Sequence, residues 1–223
     1  MIYIVRILLV VAAYLTGSVP TAVWVGKFFY HVDVREHGSK NAGATNTFRV
    51  LGLKAGLIVF AIDLLKGFLA TQFVYASSFL PHTNEWVLFQ IILGAAAVAG
   101  HIFPLYAGFK GGKGVATLLG ISLAIHPWAT LCSFLVFVTV VWLTRYISLG
   151  SITGSFAYPF FLIFLFHVKT PALIIYACII FLLLVVTHRK NIKRLIRGEE
   201  SKFYFRRKLM EAQNKKMSET SRP

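Results

Sequence analysis

Apolar residues run along this chain in long, nearly uncharged blocks, not in the strict alternation of a half-buried strand. Seven blocks can be drawn, at about 2–29, 54–80, 86–103, 115–126, 128–144, 148–166 and 171–187. A helix crossing a bilayer needs about 20 predominantly apolar residues. Six blocks meet that need within a few residues. The fourth, 115–126, is short and is closed by His126-Pro127, which predicts a partial or half-length helix. The expectation is an all-α, polytopic membrane protein of about seven transmembrane helices. Residues 1–205 would form one membrane domain and residues 206–223 a basic, disordered tail, too poor in apolar side chains to pack. The first block starts with only a weak charged region and stays apolar past Pro20 to Phe29. It is therefore expected as a retained span and not as a signal peptide.

Between the blocks the polar residues are unevenly placed. With the N-terminus outside, the inner loops carry Lys27, Arg35, Lys40, Arg49 and Lys54, then Lys110 and Lys113, then Arg145, then twelve cations from residue 188 onward. The opposite face keeps Lys169 alone, while Arg6 and Lys66 fall within blocks. This asymmetry predicts an outside N-terminus and a cytoplasmic C-terminus. It also accounts for the net charge of +15 without nucleic acid as a partner, leaving membrane lipids as the natural contact of the basic tail. At 57% hydrophobic residues the chain exceeds the 45–50% of an ordinary soluble domain. The two cysteines, Cys132 and Cys178, sit inside apolar blocks and form neither a disulfide framework nor a metal-ligand spacing.

Four polar, glycine-rich stretches share the predicted inner face: 17–52, 100–117, 145–151 and 188–200. Glycine lets backbone N–H groups approach an anion closely, and a helix start adds the positive end of its dipole. Ser, Thr and Asn add neutral hydrogen bonds, and Arg and Lys add charge. Together these are the parts of a phosphate site. FKGGKGVAT, residues 109–117, fits best, with Lys110 and Lys113 flanking Gly111 and Gly112 and Gly114 opening an apolar block. It lacks the register of a Walker A loop. Blander readings stand beside this one. Lysines at a membrane face also set topology. Asp63 and Lys66, three apart in DLLKG, are expected to pair structurally. His101 reads as a bundle-interior histidine, with no partner at metal-ligand spacing.

Three of these stretches carry, in order, four motifs that resemble those of the bacterial acyl-phosphate-dependent glycerol-3-phosphate acyltransferase family, the PlsY type. The family pattern of GS-[IV]-P, GSGNxGATNxxRxLG, GHxFPxxxxFKGGKGVAT and HRxNIxRLxxGxE is met by Gly17 to Pro20, Gly38 to Gly52, Gly100 to Thr117 and His188 to Glu200. One departure is Lys40, where the family has glycine. The resemblance implies transfer of a fatty acyl group from acyl phosphate to the 1-hydroxyl of sn-glycerol 3-phosphate, giving lysophosphatidate and phosphate. It implies no cofactor and no metal. The expected setting is the bacterial cell membrane with the site facing the cytoplasm, alongside the enzymes that make acyl phosphate and add the second acyl chain. Carried over residue by residue, it assigns catalysis to Ser39, Arg49, His188 and Asn191. It assigns substrate binding to Asn41, Gly43, Thr45, Asn46, Lys110, Gly111, Gly112, Lys113, Gly114 and Ser148, and Lys40, the departure, is expected to join them as a basic residue that helps anion binding. Glu200, like Asp63 and Lys66, is expected to be structural. The proton acceptor stays open between His188 and a substrate phosphate oxygen, with substrate assistance favoured.

Three other classes fit less well. A transporter of organic phosphates predicts inverted repeats and a site near the bilayer midplane, whereas the polar motifs gather at one face. No histidine has an aspartate five residues on, and two aspartates cannot build a multi-Asp metal site, which weighs against other lipid-modifying enzymes. A purely structural membrane protein has no use for four polar loops on one side.

Overall fold

The computed structural model describes residues 1–81 and 83–203, and among these it is entirely helical. Ten α-helices follow one another. They are α1 (Ile2–Gly17), α2 (Thr21–Tyr30), α3 (Ala44–Leu51), α4 (Leu53–Gln72), α5 (Asn84–Ile102), α6 (Val115–Ile125), α7 (Pro127–Thr144), α8 (Ile147–Phe160), α9 (Pro171–Thr187) and α10 (Arg189–Ile196). The helix ends have local causes. Pro127 and Pro171 occupy first-turn positions, where a missing N–H costs nothing. Pro20 precedes α2 and breaks the first apolar block into two helices bent by 40°. Pro159 lies inside α8, which relaxes into a π turn at Phe161–Leu165.

Seven complete spans are not found among the described residues. Among the described residues four helical segments are long and apolar enough to cross a membrane, or six if each bent pair counts as one span. The fourth block is α6, whose 11 residues rise only about 16 Å, half of a hydrocarbon core. Block 171–187 matches α9, but it reaches spanning length only together with α10, from which it is bent by 63°. The expected boundary at 205 and the tail at 206–223 lie outside the described residues.

Small residues set the tight helix pairs. An added Cβ at Gly17 would lie 2.0 Å from the Ala97 carbonyl oxygen, and one at Gly100 would lie 2.2 Å from that of Tyr14, so α1 and α5 touch backbone to backbone. Gly67 and Gly120 do the same for α4 and α6, against Thr117 and Leu64. Such contacts are how helices associate where the surrounding lipid removes any hydrophobic incentive. One core gathers Val98, Ile121, Tyr158, Leu162, Ala177 and Ile180 from α5, α6, α8, α9 and the π turn, and a second gathers α1, α4 and α5 around Leu93 and Ala97. Outward positions remain apolar, as at Leu131, Leu135 and Trp142 on α7, a surface suited to hydrocarbon and not to water.

Candidate active site

The loop from His31 to Gly43 is organised by two polar clips. In the first, Asp33 accepts from Arg35 (Nη2 to Oδ2, 2.7 Å) and pairs with Lys27 at 3.3 Å. The Arg35 guanidinium holds the Asp33 carboxyl well below the usual carboxylate range, against the opposing effect of burial. Arg35 also donates to the Ala107 carbonyl at 2.9 Å, tying this loop to the one before α6. Sequence reasoning passed over this clip, although the D-x-R spacing was its signal. The second clip is Asn46, 1% exposed. Its amide oxygen accepts from the Ser39 backbone N–H (2.8 Å) and hydroxyl (3.1 Å), and its Nδ2 donates to the Val34 and His37 carbonyls. Asn46 was expected to bind substrate. Its amide is instead spent inside the protein, where it shapes the loop that presents Ser39.

Ser39, Lys40 and Thr45 are exposed, and Asn41 and Gly43 are half-buried, so the loop's remaining polar groups face outward. Gly38 and Lys40 take φ of +60° and +58°. The left-handed turn is thus retained at Lys40 despite its side chain, at a cost of roughly 1–2 kcal/mol. A Cβ at Gly38 would sit 3.5 Å from Cδ of Arg49, which places Ser39's loop beside that arginine. Arg49 projects from α3, itself fixed to α4 by the Phe48 ring lying over Gly56. Phe48 also meets Phe203 edge to face at 5.5 Å.

In the second loop the backbone N–H groups of Gly111 and Gly112 donate to the carbonyls of Ile102 and His101. These amides were expected to cradle phosphate, and they are already engaged. What the two glycines provide is closeness. A Cβ at Gly112 would lie 2.3 Å from His101 Nε2 and 2.8 Å from the Ala42 carbonyl oxygen, so the two loops meet there. The N–H groups free to meet an anion are those of the first turn of α6, which begins after Gly114 at φ +80°. Lys110 is exposed at the rim. Beneath this junction lies a buried cluster. Asp63 Oδ1 accepts from Thr21 (3.0 Å) and pairs with Lys66 at 2.8 Å, and Lys66 also donates to the Val19 carbonyl at 2.9 Å. His101 Nδ1 lies 3.7 Å from the same carboxylate oxygen. The expected Asp63–Lys66 pair therefore joins α4, the α1–α2 break and the floor of the second loop.

The remaining motifs meet on Glu200. Glu200 is 8% exposed. It accepts from Ser148 Oγ (2.9 Å), Asn191 Nδ2 (2.6 Å) and Arg194 Nε (2.7 Å). Burial pushes this carboxyl up, but the three donors outweigh it and hold it below its ordinary value. Asn191 in turn accepts from Lys113 through Oδ1. Ser148, expected to lend its hydroxyl proton to a phosphate, lends it to Glu200. Glu200, expected to be structural, joins α8 to α10 and, through Asn191, to Lys113. Arg194, which sequence reasoning did not single out, completes the group.

Burial, with Arg194 and Arg49 nearby, pulls Lys113 down to about 8, against the favourable field of Glu200. Burial likewise lowers Arg49. His188 is the first residue past α9 and is 4% exposed. Burial and Lys113 depress it to about 4, so it is neutral at pH 7. Its Nδ1 donates to the Leu184 carbonyl at 2.9 Å, because a carbonyl can only accept. Nε2 is left with its lone pair. The arrangement can hold an anion with Arg49, Lys113 and a helix start, and can orient a hydroxyl with a neutral imidazole.

The chain matches the family model described as glycerol-3-phosphate acyltransferase over residues 7–198. It is similar to the glycerol-3-phosphate acyltransferase of Fusobacterium nucleatum, with 44% identity over 88% of this chain and 97% of the relative. That of Chlorobaculum tepidum is 39% identical over 90% of this chain and 97% of the relative. Among solved structures it resembles PlsY (YgiH), an integral membrane glycerol 3-phosphate acyltransferase, in its glycerol 3-phosphate form. The TM-score is 0.80 with 38% identity, covering 89% of this chain and 96% of that one. The lysophosphatidic acid form gives 0.76 with 39% identity, covering 90% and 96%.

Proposed function

Because the chain belongs to the glycerol-3-phosphate acyltransferase family, we propose that its acyl donor is a fatty acyl phosphate and its acceptor the 1-hydroxyl of sn-glycerol 3-phosphate. The chain is an integral membrane acyltransferase of the PlsY type. The observation that carries the finer reading is the meeting of Arg49, Lys113 and Asn191, from three separate motifs, around Glu200 beside a neutral His188. Its setting is the bacterial cell membrane, with the N-terminus outside and these loops at the cytoplasmic face. Arg49, Lys113 and Arg194, which build the site, are among the cations that favour that orientation.

In this mechanism Lys113, Arg49, the start of α6 and Ser39 hold the phosphate groups. The glycerol hydroxyl donates a hydrogen bond to His188 Nε2 and attacks the acyl carbon. A C–O bond forms, and the oxyanion is stabilised by the site's cations. The carbonyl re-forms as the bond to phosphate breaks. As the C–O bond forms, the hydroxyl swings its hydrogen bond from His188 Nε2 to a phosphate oxygen, and the proton ends there. A phosphate monoester with a second pKa of about 6 is a better proton sink than an imidazole depressed to about 4. His188 therefore orients the nucleophile. An acyl phosphate is already activated, so positioning and charge supply most of what catalysis needs. The acyl-phosphate-producing enzyme and the second acyltransferase are the reaction's neighbours.

The test is acyl transfer by the purified protein in a lipid phase, with palmitoyl phosphate and labelled sn-glycerol 3-phosphate and a palmitoyl-CoA control. Lysophosphatidate from acyl phosphate alone is the expected result. Product from acyl-CoA alone overturns the donor. Loss of all activity in His188→Ala with substrate binding intact, together with a histidine titration in the wild type, overturns substrate assistance.

A further inference from the structure

α10 has two unlike sides. Asn191 and Arg194 face inward to Glu200, and Asn191 also meets Lys113. Arg189, Lys190, Lys193 and Arg197 are all exposed. At 100° per residue these four fall within about a quarter-turn of the helix. Among the described residues none of them is in an ion pair. Beside them on the same surface is Ile196, 81% exposed. The helix leaves α9 through a 63° bend at His188.

We propose that α10 is an interfacial helix whose outer face binds the anionic phospholipid surface of the bilayer, and that this contact seats the Asn191–Glu200 side of the active site. An arc of cations beside an exposed isoleucine is the composition of a helix lying in the headgroup layer. An eight-residue helix spans about 12 Å, so one that starts at the end of the apolar, 17-residue α9 cannot carry its cations clear of the headgroups. That geometry favours lipid over an acidic soluble protein. The coupling to chemistry is direct. The helix that meets the lipid on one side carries on the other the amide that accepts from Lys113 and donates to Glu200.

The kinetic arm of the test rests on the acyl-phosphate reading above. Wild type and the variant R189Q/K190Q/K193Q/R197Q are reconstituted in nanodiscs of phosphatidylcholine, alone or mixed with phosphatidylglycerol, and kcat and KM for glycerol 3-phosphate are measured. An anionic surface near −30 mV depletes a dianion about tenfold, so KM rises for both proteins and kcat is the informative quantity. Wild-type kcat should rise about fivefold or more with phosphatidylglycerol, the equivalent of one basic side chain meeting an anionic surface. The variant should match wild type in phosphatidylcholine and show no rise. Equal wild-type kcat in both membranes, or an equal rise in the variant, overturns the proposal. Amide hydrogen exchange over 189–197 of the wild type supplies an arm independent of turnover. Stronger protection in phosphatidylglycerol supports the contact, and unchanged protection overturns it even where the variant fails to fold. Absence of product from wild type in every membrane, with exchange still lipid-dependent, faults the donor and not the lipid contact.

Discussion

Replacing Glu200 with glutamine tests whether the carboxylate is scaffold, field, or both. One carboxylate oxygen accepts from Ser148 and Asn191 and the other from Arg194. Glutamine can present its oxygen to only one side. Kept toward Ser148 and Asn191, it sets an NH₂ against the Arg194 N–H, and a charge-assisted bond worth about 1.5–3 kcal/mol is lost. Arg194 is 39% exposed in its side chain, so solvent recovers part of this, and a loss near 1–2 kcal/mol is expected. The electrostatic consequence is separate. Glu200 is the favourable field on Lys113, which titrates at about 8 while facing Arg194 and Arg49. Without the carboxylate, Lys113 loses its proton at lower pH. The assay is the pH profile of kcat/KM for glycerol 3-phosphate, which reports free-enzyme groups, alongside thermal unfolding. The alkaline limb should move toward neutral and the melting temperature should fall. A fall in melting temperature with the alkaline limb unmoved would refute the electrostatic half of the reasoning.

The remaining predictions use the same geometry. Lys113→Arg keeps its charge above pH 8, so the alkaline limb of kcat/KM should move to higher pH. Lys40→Gly relieves a left-handed turn at φ +58°. Net of glycine's extra unfolded-state entropy, it should stabilise by about 1 kcal/mol or less, read by thermal unfolding, while raising KM modestly through the lost cation. His188 has a lower pKa folded, about 4, than unfolded, about 6.5, so the folded state binds fewer protons. Its contribution of about 3 kcal/mol is present above pH 6.5 and is lost as the pH falls toward 4, and His188→Gln should flatten that part of the stability–pH curve. Gly112→Ala forces its Cβ against His101 Nε2 and the Ala42 carbonyl, displacing both loops. Acyl-transfer kinetics should show kcat/KM lower by about tenfold or more.

The long helices were legible because apolar blocks and proline positions carry the same information. Block 171–187 is α9 and block 115–126 is α6 to within a residue. The break after Gly17 was harder, since the residues on both sides are equally apolar and only Pro20 marks it. α3 and α10 fall in polar stretches that do not read as helices. The first is mixed in character, and its fit depends on Phe48 meeting a gap left by Gly56, a non-local fact. The second has a helical pattern in Ile192, Leu195 and Ile196 that its cations obscure. In the site, residue types were readable but their partners were not. An amide that holds a loop, such as Asn46, has the same local sequence signature as one that holds a ligand. Glu200 and Ser148 stand 52 positions apart, and nothing local links them.

The charge arrangement suits the phosphate binding proposed above. Arg49, Lys113 and Arg194 face a single carboxylate, Glu200. For Lys113 and Arg49 burial opposes the charged form, and it is the largest contribution to each shift. That cost is carried by the folded protein before any ligand arrives. A phosphate dianion entering among these groups meets donors already partly stripped of water and held in place, so little reorganisation opposes binding. The hydrogen-bond chain from Lys113 through Asn191 to Glu200 keeps the cations from dispersing under their mutual repulsion. A further buried cation would need another carboxylate. A second buried acid would cancel the field that draws phosphate. One acid among three bases is therefore a compromise between folding and affinity, and it places Glu200 in the function of a site whose ligand it need not touch.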